Sequence, residues 1–207
     1  MFVDDGSTDS TADRIREHVS ELVFLCRLEQ NVGKGEAIRH GFAFARRIGL
    51  LDRADWFGYW DADWSTPLTE LDEFFSYARL YDIDRVDAIF GSRVLRLGSR
   101  IDRSPVRHYL GRAFTTIIDR VFALRCYDTQ CGSKLFRTPV AEEAFGETFT
   151  SRWIFDVEIL LRLRGRRIVE YPLRAWSAVD GGTLSVGREL IPTLRDIVRI
   201  RSRYRSR

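Results

Sequence analysis

The stretch FVDDGSTD (residues 2–9) joins a short apolar segment to two aspartates, a glycine and three residues that favour helix N-termini. A buried strand that ends in this way leads into a helix through a loop that can hold a ligand. Gly6 allows the sharp turn, and Asp4 and Asp5 stand where the strand ends. An ordinary strand-to-helix turn with capping residues explains the stretch equally well, so a binding role needs support from elsewhere in the chain.

Apolar residues at strand spacing and at helix spacing alternate along the rest of the chain. The predicted strands are 23–28, 56–60, 86–92, 134–137 and 168–171, and the predicted helices are 11–22, 36–48, 67–80, 105–124, 153–163 and 188–204. This alternation predicts an α/β fold with a mainly parallel central sheet and helices on both faces. In such sheets ligands bind beyond the carboxyl ends of the strands.

The length and composition are those of a soluble globular protein. With 207 residues, 44% hydrophobic and 30% charged, the chain can bury one sizeable core, and we expect a single domain over residues 1–207. No apolar run approaches the roughly 18 residues of a membrane span, and no signal segment opens the chain, so we expect a cytoplasmic protein. Three cysteines without a matching ligand pair predict reduced thiols rather than a zinc site.

The segment 188–207 carries seven arginines against Glu189 and Asp196. Apolar residues between the arginines predict a basic amphipathic helix. We expect its first half to pack on the domain and its end to contact lipid headgroups, peripheral to the cytoplasmic membrane face. Nucleic-acid binding is not expected, because the aromatic residues lie in the strands and are not interleaved with these arginines.

A second pair of carboxylates occurs in DADWST (residues 61–66), directly after an aromatic strand. In an extended segment Asp61 and Asp63 point the same way and repel each other unless a cation lies between them. Mg²⁺ or Mn²⁺ suits such oxygen ligands and is often shared with a phosphate-bearing substrate. Most Asp-x-Asp triplets are solvated turn residues, which is the competing interpretation.

A glycine-flanked lysine, Lys34, occurs in NVGKGEAIRHG (residues 31–41) just before a predicted helix. Backbone amides at a helix N-terminus attract anions, so this segment suits a phosphate or carboxylate. It does not match the P-loop pattern, and the alternative interpretation is that the glycines serve only the entry into the helix.

The segments VDDGSTD, NVGKGEA, DAD, GSR, DTQCGSKLF and RWIFDVEILL occur in one order from Phe2 onward. Together they resemble family 2 glycosyltransferases of the GT-A fold. The last two segments make the resemblance specific to the branch of dolichyl-phosphate β-glucosyltransferases and polyprenyl-phosphate glycosyltransferases. The resemblance implies a metal-dependent, inverting transfer of a sugar, with glucose from UDP-glucose as the first choice, to a polyprenyl or dolichyl phosphate.

The resemblance also implies roles for individual residues. For the nucleotide-sugar donor, Asp4 and Asp5 would contact the nucleotide, Lys34 would lie near the phosphates, and Asp61 and Asp63 would bind Mg²⁺ or Mn²⁺. For the acceptor, Arg93 would meet the lipid phosphate, with Arg103, Arg107 and Arg112 as candidates to join it. The residues expected to act in catalysis are Asp63, Arg93 and Asp156. For Asp156, orienting arginines or sugar hydroxyls is favoured over proton abstraction.

The sequence departs from the family pattern at three places. Ser65 replaces a glutamine of mannosyltransferases, and Gly181–Leu184 lacks a lysine of related enzymes. The strand and loop that ordinarily precede VDDGSTD are absent, which predicts an N-terminally truncated GT-A fold with exposed sheet edges, covered by a missing segment, a partner chain or a homo-oligomer. The alternatives are an inactive, truncated relative that binds nucleotide sugars, or the same chemistry with GDP-mannose or another acceptor.

Overall fold

The computed structural model describes residues 1–178 and 186–205, without the side chains of Arg107 and residues 186–191. The strands are β1 (Phe2–Asp4), β2 (Leu25–Arg27), β3 (Trp56–Trp60), β4 (Ala88–Ser92), β5 (Arg100–Asp102), β6 (Ser133–Arg137), β7 (Ile168–Pro172) and β8 (Ala175–Ser177). The helices are α1 (Thr11–Arg16), α2 (Lys34–Arg47), α3 (Glu70–Arg79), α4 (Pro105–Phe122), α5 (Thr138–Phe145), α6 (Phe155–Arg162) and α7 (Val186–Arg203). Most of the predicted elements are present, with shifted ends.

The largest sheet has four strands in the order β3-β6-β4-β7. Strands β3, β4 and β7 run in one direction, as predicted, and β4 pairs with β7 in parallel. Strand β6 runs the opposite way and separates β3 from β4, so two of the three pairings are antiparallel. The sheet is therefore mixed, and the expectation of a mainly parallel sheet needs this correction.

Strands β1 and β2 form a separate parallel pair, in the register Val3 to Cys26. Among the described residues, neither β1 nor β3 has a strand partner on its second edge. Edge strands occur in any open sheet, so the predicted cause of unpaired edges stays a prediction. The two sheets are nevertheless held close, because loops at their carboxyl ends contact each other, as the site below shows.

Two cores lie on opposite faces of the four-stranded sheet, because alternate residues of β4 and β6 point to opposite sides. Phe90 and Phe136 face a phenylalanine-rich cluster shared with α2, α5 and α6. Ile89 and Leu135 face the second cluster, which α3 covers. The predicted helices on both faces are thus confirmed.

The C-terminal basic helix is present as α7, and its packed face extends beyond the first half that was predicted to pack. Ile197, Ile200 and Tyr204 lie on one face and are buried against α4 and α6. The Tyr204 hydroxyl also accepts a hydrogen bond from Arg162 Nε, at 2.9 Å. The end of the tail therefore packs on the domain through this face, while Arg201, Arg203 and Arg205 are exposed, and lipid contact by this end stays a prediction.

Three short elements escaped the sequence prediction, and one helix is shorter than predicted. Strands β5 and β8 form a three-residue parallel pair, too short for a visible alternation. Helix α5 begins beside Pro139, directly after β6, and was not separated from the strand. Helix α1 ends at Arg16 because the later apolar positions find no core, and Leu22 is 87% exposed.

Within residues 1–178 and 186–205, no helix is long and apolar enough to span a membrane.

Replacement of Phe136 by alanine tests the first core. Phe136 is fully buried and its ring packs on Tyr59, Phe90 and Phe145. We expect Phe136→Ala to lower the free energy of unfolding by about 3–5 kcal/mol in urea titrations. The exposed Leu22→Ala control should stay within about 0.5 kcal/mol. Equal effects of the two substitutions would contradict the assignment of the core.

Candidate active site

The candidate site residues fall into two groups. The first, called the aspartate cluster, contains Asp4, Asp5, Lys34, Asp61 and Asp63, and the second, called the arginine cluster, contains Arg93, Arg103, Arg112 and Asp128. Strand ends position both groups, because Asp4 ends β1, Asp61 follows β3 and Arg93 follows β4.

Asp5 binds the loop before α2. Its two carboxylate oxygens accept hydrogen bonds from the backbone amides of Val32 and Gly33, at 2.7 and 2.9 Å. Gly6, with φ +71°, packs so closely on this loop that a Cβ would lie 2.6 Å from the carbonyl carbon of Gln30. Asp5 therefore shapes the loop that carries Lys34, and its contact with a nucleotide stays a prediction.

Asp4 lies beneath the loop and is only 3% exposed. Its Oδ1 accepts a hydrogen bond from the Ser7 amide at 3.0 Å, and its Oδ2 lies 3.4 Å from Arg27 Nε without forming a hydrogen bond. This burial fits a carboxylate that holds the turn, and leaves little of Asp4 for the predicted contact with a substrate.

Asp61 joins the two sheets. Its Oδ1 lies 2.6 Å from Lys34 Nζ, an ion pair between the end of β3 and the start of α2. Its backbone amide donates to the Gly132 carbonyl at 2.8 Å. A Cβ at residue 132 would lie 1.9 Å from Asp61 Oδ2, so only glycine leaves room for this carboxylate.

The backbone between Asp61 and Asp63 is a turn, not an extended segment. The argument that both side chains point the same way is therefore wrong. Trp64 has φ +61°, and the Asp63 carboxylate accepts a hydrogen bond from the Ser65 amide at 2.9 Å. Asp63 is exposed, and the orientation of its carboxylate is set by this contact within the turn.

The oxygens of Asp61 and Asp63 are the hard ligands that Mg²⁺ and Mn²⁺ prefer. The described residues contain no group of three or more His, Cys, Asp or Glu side chains arranged for a metal. Magnesium in nucleotide sites is commonly held by one or two carboxylates together with phosphate oxygens and water. The two aspartates thus have the ligand chemistry for an ion that arrives with a phosphorylated substrate, and Lys34 would compete with that ion for Asp61.

Arg93 is held by Asp128 through two parallel hydrogen bonds, of 2.7 Å from Nε and 2.8 Å from the terminal amino group. The Arg93 amide also donates to this carboxylate, at 3.0 Å. Burial opposes ionisation of Asp128, but the Arg93 guanidinium outweighs it and lowers the pKa of Asp128 to about 2. Burial likewise opposes the charge of Arg93, whose pKa is nevertheless raised by Asp128.

Two further arginines surround a small cavity beside Arg93. Arg112 lies 3.8 Å above the Tyr127 ring and donates to the Tyr127 carbonyl at 2.8 Å. Arg103 packs on Gly111, where a Cβ would lie 2.4 Å from its guanidinium. These arginines and Asp128 line a cavity with a volume of about 20 Å³, which is room for roughly one water molecule. Arg107 precedes this wall of α4, but its side chain lies outside the described residues, as does Gly181–Leu184.

Asp156 is only 4% exposed and lies behind the aspartate cluster. Its Oδ1 accepts hydrogen bonds from Lys134 Nζ at 2.6 Å and from the Tyr59 hydroxyl at 2.7 Å. Burial, and next the Asp156 charge, raise the pKa of Tyr59 well above its usual value, so the phenol stays a donor. Asp156 therefore orients a lysine and a tyrosine, not arginines, and its burial argues against direct contact with a sugar.

Sequence reasoning did not assign roles to Asp128, Gly132, Lys134 or Tyr59. Three of these residues lie in DTQCGSKLF, which had served only to recognise the family. The signal that could have identified them was the combination of Asp128, a glycine and a lysine in one segment beside a strand. Their partners are distant in sequence, and only the fold brings them together.

The family model of glycosyl transferase family 2 matches residues 1–145 of the chain. The chain belongs to glycosyl transferase family 2. It is 32% identical to the dolichyl-phosphate β-glucosyltransferase of Saccharomyces cerevisiae and 33% identical to that of Drosophila melanogaster, over 99% of this chain in both cases. It spans 64% and 63% of the length of these two relatives.

Solved structures of glucosyl-3-phosphoglycerate synthase from Mycobacterium tuberculosis share the fold. The complex with phosphoglyceric acid has a TM-score of 0.61 at 17% identity, and covers 94% of this chain and 66% of that protein. The complex with Mn²⁺, UDP and glucosyl-3-phosphoglycerate has a TM-score of 0.59 at 17% identity, with 94% and 67% covered. These likenesses confirm the GT-A fold that the motifs predicted.

Replacement of Asp128 tests the pairing in the arginine cluster. Asp128→Asn removes the charge that compensates the buried Arg93, so we expect the free energy of unfolding at pH 7 to fall by about 3–5 kcal/mol. The pKa of Asp128 is lowered by folding, so its stabilising effect is present above pH ~4 and is lost as the pH falls towards 2. The difference between the two proteins in urea titrations should therefore shrink from pH 4 to pH 2. A difference that is constant over this range would contradict the ion pair.

Proposed function

We propose that the protein transfers a hexose, with glucose from UDP-glucose as the first choice, to a polyprenyl or dolichyl phosphate, with inversion at the sugar carbon. The observation that carries the proposal is the pair of clusters at the strand ends. Carboxylates and a lysine suit a metal-bound diphosphate, and arginines beside them suit a phosphate acceptor. The dolichyl-phosphate β-glucosyltransferase relatives and the fold shared with a synthase solved with Mn²⁺ and UDP-glucose support the same substrates.

On the donor side, we propose that Asp61 and Asp63 hold Mg²⁺ or Mn²⁺. The ion supplies charge stabilisation to the departing nucleoside diphosphate. Lys34 lies at the start of α2, 43% exposed at its side chain, and can turn from Asp61 to a donor phosphate. Asp5 accepts hydrogen bonds from the Val32 and Gly33 amides, so the loop that carries Lys34 is fixed against β1 before a donor binds.

On the acceptor side, the arginine cluster offsets the repulsion between two phosphorylated substrates. Two donors of Arg93 face Asp128, so its orientation is fixed before any ligand binds. Its remaining N–H groups are available to a phosphate, and Arg112 and Arg103 lie around the same cavity. We keep Arg107 as a proposed participant because it precedes His108, which lines that cavity.

A phosphate monoester is already anionic near neutral pH, so its oxygen can attack the sugar carbon without a strong general base. The protein's contribution is then positioning of the two substrates and electrostatic stabilisation. This is consistent with a buried Asp156 that already accepts two hydrogen bonds.

The acceptor is a lipid, so we also propose peripheral contact with a membrane. The outer face of α7 exposes Leu194 and Val198, 48% and 68% accessible, beside Arg195 and Arg199. Apolar residues between arginines are typical of helices that lie in the interface of an anionic bilayer.

Replacement of Asp63 by asparagine tests the donor site. We expect Asp63→Asn to lower kcat for transfer from UDP-glucose to dolichyl phosphate by at least 100-fold in the presence of Mn²⁺, because one of two carboxylates facing the ion is lost. The matched control is Asp84→Asn, whose side chain is 91% exposed and remote from the cluster. Full activity of Asp63→Asn would contradict the assignment. An inactive but folded unmodified chain would favour the alternative of an inactive nucleotide-sugar-binding relative.

Replacement of Arg93 by lysine tests the acceptor site. Lysine keeps the charge but loses the paired geometry towards Asp128 and the phosphate. We expect Arg93→Lys to raise KM for the polyprenyl phosphate by at least 10-fold and to leave KM for the sugar nucleotide within twofold. The exposed Arg79→Lys serves as the control. A rise in KM for the sugar nucleotide alone would move Arg93 to the donor side.

A further inference from the structure

Lys134 is a lysine in the middle of the sheet that no step of the proposed transfer uses. It lies on β6, with Tyr59 of β3 and Phe90 of β4 as its register partners, and it is 0% exposed. An ammonium in such surroundings is strongly destabilising unless it is paired. Its Nζ donates to Asp156 Oδ1 and to the Cys131 carbonyl, both at 2.6 Å.

The second of these contacts leads to the aspartate cluster. The peptide that follows the Cys131 carbonyl is that of Gly132, whose own carbonyl accepts the Asp61 amide at 2.8 Å. The Cα of Gly132 also packs against the Asp61 carboxylate, which leaves no space for a Cβ. Lys134 and Asp61 thus hold two consecutive carbonyls, and any shift of residues 131–132 moves the surface on which Asp61 rests.

The Asp156 side of the pair is equally fixed. The Tyr59 hydroxyl donates to the same Oδ1 as Lys134, at 2.7 Å, and Tyr59 lies on β3 two residues before Asp61. Core stability alone does not require these charges, because a buried ion pair can often be replaced by apolar residues of similar volume without loss of stability. What an apolar pair cannot do is hold the Cys131 carbonyl by a directed hydrogen bond.

We infer that Lys134 and Asp156 are positioning residues for Asp61: their ion pair fixes the 131–132 backbone and thereby the place of the carboxylate that faces the donor's metal. The inference rests on the proposed function for its consequence in catalysis, but its structural half concerns the ligand-free protein.

The test compares Lys134→Met and the double variant Lys134→Met/Asp156→Leu with a matched control on the same strand. The control is Arg137→Met, because Arg137 lies at the opposite end of β6 and also donates to backbone carbonyls, those of Ile83 and Val86. Amide hydrogen exchange at Asp61 without ligand, and the affinity for UDP with Mn²⁺ by calorimetry, are measured for each protein alongside the melting temperature.

In both Lys134 variants, we expect the Asp61 amide to exchange at least 10-fold faster and the affinity for UDP with Mn²⁺ to fall at least 10-fold. In the Arg137→Met control, we expect the exchange rate and the affinity each to change less than twofold. The double variant should regain melting temperature over Lys134→Met without regaining the slow exchange or the affinity. If the double variant regained slow exchange of the Asp61 amide and the affinity for UDP with Mn²⁺ together with the melting temperature, the inference would be overturned. Failure of the unmodified protein to bind UDP with Mn²⁺ would instead contradict the proposed function, while the exchange data still decide the positioning role.

Discussion

Compensation of charge at the carboxyl ends of the strands is the constraint on which the rest of the structure depends. Asp5 is compensated by two backbone amides, Asp61 by Lys34, Arg93 by Asp128 and Asp156 by Lys134. Each pair joins separate segments of the chain, and a charge leaving water is costly without such a partner. The loops around the site are therefore placed by electrostatics, on a frame that aromatic packing supplies.

Under the proposed function, substrates would exchange partners with these charged groups instead of meeting free charges. Lys34 is 43% exposed and its contact with Asp61 is a single ion pair, so a phosphate can replace Asp61 at little cost. Arg93 is different, since its side chain is only 16% exposed and its pairing with Asp128 is bidentate. Under the proposed function, a phosphate would bind the remaining N–H donors of Arg93 without breaking its pair with Asp128. One cluster is thus poised to rearrange, and the other is preformed.

Sequence patterns predicted the order of the main strands and helices, and β3 has the predicted bounds 56–60. Motif reasoning also placed Asp61 and Arg93 at strand ends. The direction of β6 could not be predicted, because periodicity shows which face is buried and not which way a strand runs. Lys134 could not be recognised as a buried residue either, since its partner Asp156 lies 22 residues away on a different element. Short elements such as β5 have too few residues to show a hydrophobic periodicity.

The segment DTQCGSKLF, which made the resemblance specific, has a physical role that its letters do not reveal. Asp128 orients Arg93, the Cys131 carbonyl binds Lys134, and Gly132 leaves space for Asp61. One run of seven positions, 128–134, therefore touches both the arginine cluster and the aspartate cluster. The cavity beside Arg93 also borders this run, because Tyr127, whose ring Arg112 covers, directly precedes it. The two clusters therefore share one continuous stretch of backbone as their support.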